Sequence, residues 1–189
     1  MSCRAAAVAA VSGWLLCVSP VAAGYDASGV PLVAQGTLQA AFTPGDDVEG
    51  LIIGAIDGAR RQVLVQAYLL TSKKIAAALI TAKRRGIDVR VLADAKQHAK
   101  VETSRIPALA AAGIAVWLET GYENAHNKVI VIDASTPDAA VITGSYNFTW
   151  TAQHKNAENI LLARRNPALA ARYALNWERH RLDATPYRK

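Results

Sequence analysis

His126 and Lys128, two residues apart in the run His126-Asn127-Lys128-Val129-Ile130-Val131-Ile132-Asp133, are the side chains best placed to do chemistry. The β-branched residues that follow them predict a strand over Ala125–Asp133. Alternation then sends His126 and Lys128 to one face, about 6–7 Å apart, and Val129 and Val131 to the other. An imidazole beside a fixed cation suits an anionic substrate. A phosphodiester fits better than a carboxylic ester, because phosphoryl transfer depends on charge stabilisation and positioning. A lone strand histidine is ordinarily a satisfied core residue, but here that reading would also bury an unpaired Lys128 at high cost. Gly144-Ser145-Tyr146-Asn147 repeats the spacing at the end of the next strand. Ser145 and Asn147 both carry groups able to hydrogen-bond phosphate oxygens. Glu158 opens the strand after that.

The elements that must position these residues follow from periodicity and caps. Residues 40–43 read as a short strand closed by Pro44-Gly45. Asp46-Asp47 caps a helix whose apolar positions are Val48, Leu51, Ile52, Ala55, Ile56 and Ala59. Residues 62–68 are β-rich, and Ser72 caps a second helix bearing Ile75, Leu79 and Ala82, closed by Gly86. A strand at 87–93, a short helix near 107–112 and a strand at 114–118 complete a β-α-β-α-β-α-β order, so helices should cover both faces of a sheet. Beyond residue 120 the strands at 125–133 and 140–145 should form a hairpin through Ser135-Thr136-Pro137-Asp138. A strand at 157–163 precedes a final helix opened by Asn166-Pro167. The expected fold class is a single α/β domain with a mixed β-sheet flanked by helices on both faces.

Length and charge bound the rest. With 189 residues the chain can bury one sizeable core and is short for two domains. Residues 1–23 read as a secretory signal: Arg4, an apolar stretch from Ala5 to Val18, then Val21-Ala22-Ala23 before Gly24, with cleavage expected after Ala23. The alternative, a retained anchor, is poorly served by an apolar run short of the ~20 residues a span needs. The expected location is therefore secreted or periplasmic. Both cysteines, Cys3 and Cys17, fall inside this segment, so no disulfide or thiol chemistry is expected beyond it. Residues 24–39 are aperiodic and read as a loose arm before a domain over 40–189. From Arg164 to Lys189 seven basic residues face two acidic ones. That basic segment points to a polyanion, nucleic acid or anionic headgroups, or else to a solvated helix face.

The pattern His126-x-Lys128-x4-Asp133 followed by Gly144-Ser145-x-Asn147 resembles the HKD motif of the phospholipase D superfamily. The likeness extends to Phe42-x-Pro44-Gly45, Ala67-Tyr68, Arg85-Gly86-Ile87-x-Val89, Asp94 and Asn156-x-Glu158-Asn159, and covers roughly residues 40–183. It is nearest the small, single-motif secreted endonuclease type. The resemblance implies a metal-independent and cofactor-free phosphodiesterase. One histidine attacks phosphorus to form a phosphohistidine; a second protonates the leaving alcohol and then activates water. It further implies that Lys128, Ser145 and Asn147 hold the phosphate, that Glu158 orients His126, and that Asp133, though part of the catalytic motif, is structural because parity puts it on the opposite strand face. His98-Ala99-Lys100 fails as a second motif, since Arg105 stands where aspartate is needed. His154 and His180 lack the lysine. One motif per chain implies a homodimer with the active site at its two-fold axis.

Three functions follow from this reading. The first is a sequence-nonspecific endonuclease on DNA, and on RNA as a secondary substrate, with Arg165, Arg172 and Arg179 recurring every seven residues as a stripe for a phosphate backbone. Leu169, Tyr173 and Trp177 would dock that final helix on the body. The alternative is a phospholipase D releasing headgroups from membrane phosphatidyl lipids, with Tyr122, Tyr146, Phe148 and Trp150 either touching a bilayer or packing in the core. The third is a non-catalytic polyanion-binding module, against which the intact motif argues.

Overall fold

Asp47, Ser72 and Asn166 each do what a helix start requires: their side chains accept the backbone N–H of Gly50, Ile75 and Leu169 respectively. They open α1 (Val48–Asp57), α2 (Lys73–Arg84) and α6 (Pro167–Asp183). The computed structural model describes Gly29 and residues 31–188. The expected signal at residues 1–23, with Cys3 and Cys17, and most of the expected arm at 24–39 lie outside the described residues. Among the described residues, no helix is long and apolar enough to cross a membrane.

The strands are β1 (Thr37–Thr43), β2 (Gln62–Ala67), β3 (Asp88–Asp94), β4 (Ala115–Glu119), β5 (Lys128–Ile132), β6 (Ala140–Gly144), β7 (Glu158–Arg164) and β8 (Thr185–Pro186). They form one mixed sheet in the order β1-β7-β6-β5-β2-β3-β4-β8. The trio β2, β3 and β4 is parallel, and every other pairing is antiparallel. The central strands β2 and β5 are apolar on both sides because both sides are covered. On one face Val63, Val65, Ile130 and Ile132 pack under α1 and α2. On the other, Leu64, Leu92, Val129 and Val131 meet Ala170 and Trp177 of α6. Leu169 and Tyr173 join that second cluster, as their spacing predicts. The expected α/β domain with helices on both faces is the fold observed.

Two features depart from the sequence reading. β1 begins at Thr37, so the expected arm ends three residues earlier; Thr37, Leu38 and Gln39 pair with Arg164, Ala163 and Leu162 of β7 as an edge strand. Its exposed face lacks the alternation that marks a half-buried strand. Two short helices were not expected: α3 (Ala95–Lys100), capped by Asp94, and α5 (Trp150–His154), capped by Thr149. The short helix near Pro107 is α4 (Ile106–Ala111). Helix α6 crosses β6, β5, β2, β3 and β4. Leu38, Phe42 and Leu161, on the same sheet face of β1 and β7, stay exposed.

Candidate active site

The sheet edge where β2, β3 and β6 end and β5 and β7 begin gathers nearly all the residues singled out above. Openings of this kind, at the carboxyl ends of parallel strands, are where α/β sheets leave room for ligands. His126 was expected inside a strand; β5 starts only at Lys128, and His126 stands in the extended segment just before it. That segment is pinned on both sides of the histidine. The buried Asp94 carboxylate accepts the N–H of Ala125 through Oδ2 (2.8 Å), while its Oδ1 accepts the N–H of Gln97 (2.7 Å). On the other side the Tyr68 N–H donates to the Asn127 carbonyl at 3.0 Å. The imidazole itself is exposed and makes no hydrogen bond among the described residues.

His126 and Lys128 converge on one aromatic ring. The imidazole centroid lies 4.3 Å from that of Tyr68, and the Lys128 ammonium lies 4.8 Å from the same ring. Lys128 Nζ also donates to the His126 carbonyl at 2.7 Å, which fixes the charge beside the histidine. Burial pushes the Lys128 ammonium below the usual lysine range, and the Glu158 carboxylate partly offsets that. Tyr68 is held in turn: Gln97 Nε2 donates to its hydroxyl (2.7 Å), which donates to Asn124 Oδ1 (3.2 Å). Sequence reasoning assigned no role to Tyr68 or Asp94. The signal was an aspartate at a strand's end just before a polar hexapeptide, the pattern of a helix cap.

Glu158 was expected to orient His126. Its carboxylate is instead engaged by Ser145, whose Oγ donates to Oε2 at 2.6 Å, and by Asn156 Nδ2 at 2.8 Å to Oε1. Ser145 Oγ accepts in turn from the Asn159 N–H (3.0 Å). Ser145 therefore holds Glu158 and the start of β7, while Glu158 acts on Lys128 through its field. Gly144 is required here, because a Cβ would overlap the Asn159 carbonyl of β7. Asn147 keeps its amide uncommitted: among the described residues Oδ1 is buried with no partner, and the Nδ2 group is the donor that a phosphate oxygen can take. Tyr146 and Phe148 on either side of it are 1% exposed and belong to the core, whereas Tyr122 (43%) and Trp150 (56%) remain in solvent. Burial, with the carboxylates of Glu49, Asp47 and Glu158, pushes the Tyr146 phenol far up, so it stays neutral.

Asp133 stands at the other end of β5, about 16 Å along the strand from Lys128. Its carboxylate accepts three backbone N–H groups, from Arg60 (2.8 Å), Arg61 (2.7 Å) and Gln62 (2.8 Å). Among the motif residues it is thus the one remote from the reacting end, and its work is structural. The arginine stripe is not gathered at the site either. Arg165 precedes α6 at the end remote from His126, and Arg179 donates to Asn176 on its own helix (2.8 Å).

This arrangement can hold a phosphate between a fixed ammonium and an uncommitted amide, with an exposed imidazole presented for attack. The comparisons agree with it. A family model described as "Cardiolipin synthase, PLD-like domain" matches residues 52–181. The chain is 36% identical over 148 residues to a phospholipase D of Rickettsia typhi, covering 78% of this chain and 70% of that one. It is 34% identical over 105 residues to the mitochondrial cardiolipin hydrolase of Xenopus laevis, covering 56% and 48%. Its fold is similar to Nuc from Salmonella typhimurium, a phospholipase D family member, with a TM-score of 0.75 and 30% identity over 82% of this chain and all of that one. An HKD motif set at the edge of such a sheet, in a chain with these relatives, makes this protein a phosphodiesterase of the phospholipase D superfamily.

Proposed function

We propose that the chain hydrolyses the headgroup phosphodiester of phosphatidyl lipids, without a metal, through a phosphohistidine on His126. The observation that carries the mechanism is the imidazole itself: exposed, free of hydrogen bonds among the described residues, pinned through Ala125 and Asn127, and paired with Lys128 over Tyr68. One imidazole nitrogen attacks phosphorus as the headgroup oxygen leaves. A second His126, from a partner chain at a two-fold axis, gives that oxygen its proton. Water then displaces the histidine, losing its proton to the second imidazole and leaving a phosphatidate. The Lys128 ammonium and the Asn147 amide stabilise the charge on the phosphoryl oxygens.

Two observations support lipid over nucleic acid, reversing the order of expectation from the sequence. Relatives named phospholipase D match most of this chain and most of their own length. The arginines that favoured nucleic acid are not assembled at the catalytic edge, which instead exposes Tyr122 and Trp150. The nuclease reading keeps one support, the basic run from Arg164 to Lys189. The two-fold pairing is supported by the exposed Leu38, Phe42 and Leu161, which lie next to Ser145 and Asn159 on the same side of the sheet. The expected signal at residues 1–23 puts this activity in the periplasm or outside the cell.

Purified chain beginning at Gly24 should release headgroups from phosphatidylcholine vesicles in the presence of EDTA, with His126→Ala reducing turnover by about a thousandfold or more. Cleavage of plasmid DNA with no vesicle turnover would reverse the choice of substrate. Wild-type activity in His126→Ala would sink the mechanism, and loss of activity on chelation would remove the metal-free claim.

A further inference from the structure

At the end of the sheet remote from His126 there is a recess of about 380 Å³ lined by Arg60, Arg164 and Arg165 together with Asp133 and Asp138. Nothing in the catalytic scheme uses it. Among the described residues, none of the three guanidiniums has a hydrogen bond or an ion pair. Among the described residues, neither carboxylate forms an ion pair with them. Asp133 spends both oxygens on the backbone of Arg60, Arg61 and Gln62, and Asp138 sits at the exposed rim. Three arginines thus line one recess against two carboxylates, and planar guanidinium forks suit a tetrahedral oxyanion.

The backbone gives an independent sign. Among the described residues, Asp133 (φ 50°) and Arg165 (φ 56°) are the two non-glycine residues in the left-handed region, and both line this recess. Such conformations cost free energy and concentrate where a side chain must be aimed. Here the turn at Arg165 is held by its N–H bonding to the Ala139 carbonyl at 2.8 Å, and the turn at Asp133 sets the backbone of Arg60. The strain therefore falls on the two residues that fix where Arg165 and Arg60 start.

We infer that this recess is a second anion site, binding a phosphate group between Arg60, Arg164 and Arg165. It is about one strand length from the catalytic edge and independent of which phosphodiester is cleaved there. The phosphate belongs either to a free anion or to a lipid headgroup, and the two sources can be told apart.

The test uses His126→Ala/Lys128→Ala protein, in which the catalytic edge is silenced, titrated calorimetrically with inorganic phosphate. One phosphate should bind per chain. Adding Arg60→Gln, Arg164→Gln and Arg165→Gln should weaken it at least about tenfold, with an intermediate loss for Arg164→Gln or Arg165→Gln alone should the triple variant fold poorly. The same arginine substitutions in otherwise wild-type enzyme should leave turnover of a soluble phosphodiester unchanged. Arginine-dependent sedimentation of the silenced protein with phosphatidate-containing vesicles would identify the headgroup as the source; saturation by inorganic phosphate without vesicle binding would identify the free anion. If the silenced protein binds no phosphate in either form, or binds it equally well without the arginines, the site does not exist.

Discussion

Two residues of this chain separate motif membership from chemistry. Asp133 belongs to the HKD pattern yet is 4% exposed and fully spent on three backbone amides. Asp133→Ala would leave those donors unsatisfied, so a stability loss of about 3 kcal/mol is expected by urea unfolding, with activity per folded molecule largely kept. His98 looks like the start of a second motif but is a packed residue, its Nδ1 2.9 Å from Ser104 Oγ and its ring edge-on to Tyr187. Burial holds its pKa below the usual histidine value near 6.5. The sign follows: below pH about 6.5 the unfolded chain takes up a proton that the folded chain refuses, so stability falls as the pH drops. His98→Gln should therefore lose less stability than wild type between pH 7 and pH 5, measured as the shift in urea midpoint. A larger loss in the variant would mean the folded protein favours the charged ring.

At the scale of elements, what the chain spells out is what local chemistry encodes. Asp47, Ser72 and Asn166 cap their helices in the sequence as they do in space, and the apolar runs of β2 and β5 announce strands covered on both sides. The convergence of His126, Lys128, Ser145 and Asn147 on one edge was legible for the same reason, because strand order follows from a hairpin and parity. The choice Glu158 makes between His126 and Ser145 was not legible, since it depends on how β6 and β7 meet at Gly144 and not on spacing. Nor were α3 and α5, too short to show a period. Trp177 tests the element that covers the second face. Its indole N–H donates to the Val65 carbonyl at 2.9 Å while the ring is edge-on to Trp117. Trp177→Phe should cost about 1–2 kcal/mol, and Trp177→Ala about 4 kcal/mol with α6 loosened, visible as faster amide exchange along that helix.

For the whole molecule, the proposal of a shared centre makes activity a property of pairs. Specific activity should fall on dilution, in step with a loss of dimer seen by sedimentation. Exchanging wild type with an equal amount of His126→Ala should leave about a quarter of the activity, because only pairs with two intact histidines turn over. Retention of half would point to chains that work alone.

The strand β5 joins a reactive end to an anchored one. Since Asp133 grips the backbone where β2 begins, and β5 lies against β2 along its whole length, the carboxylate works as a gauge for register. A slip of one residue would turn every side chain of β5 over, taking Lys128 away from the Tyr68 ring and carrying Val129 into its place. A single-residue deletion within β5 should therefore abolish the site, while one in the turn at 134–138 is absorbed beyond the gauge. The motif's fixed distance from lysine to aspartate then measures a length of backbone, and the aspartate keeps time for a reaction it never touches.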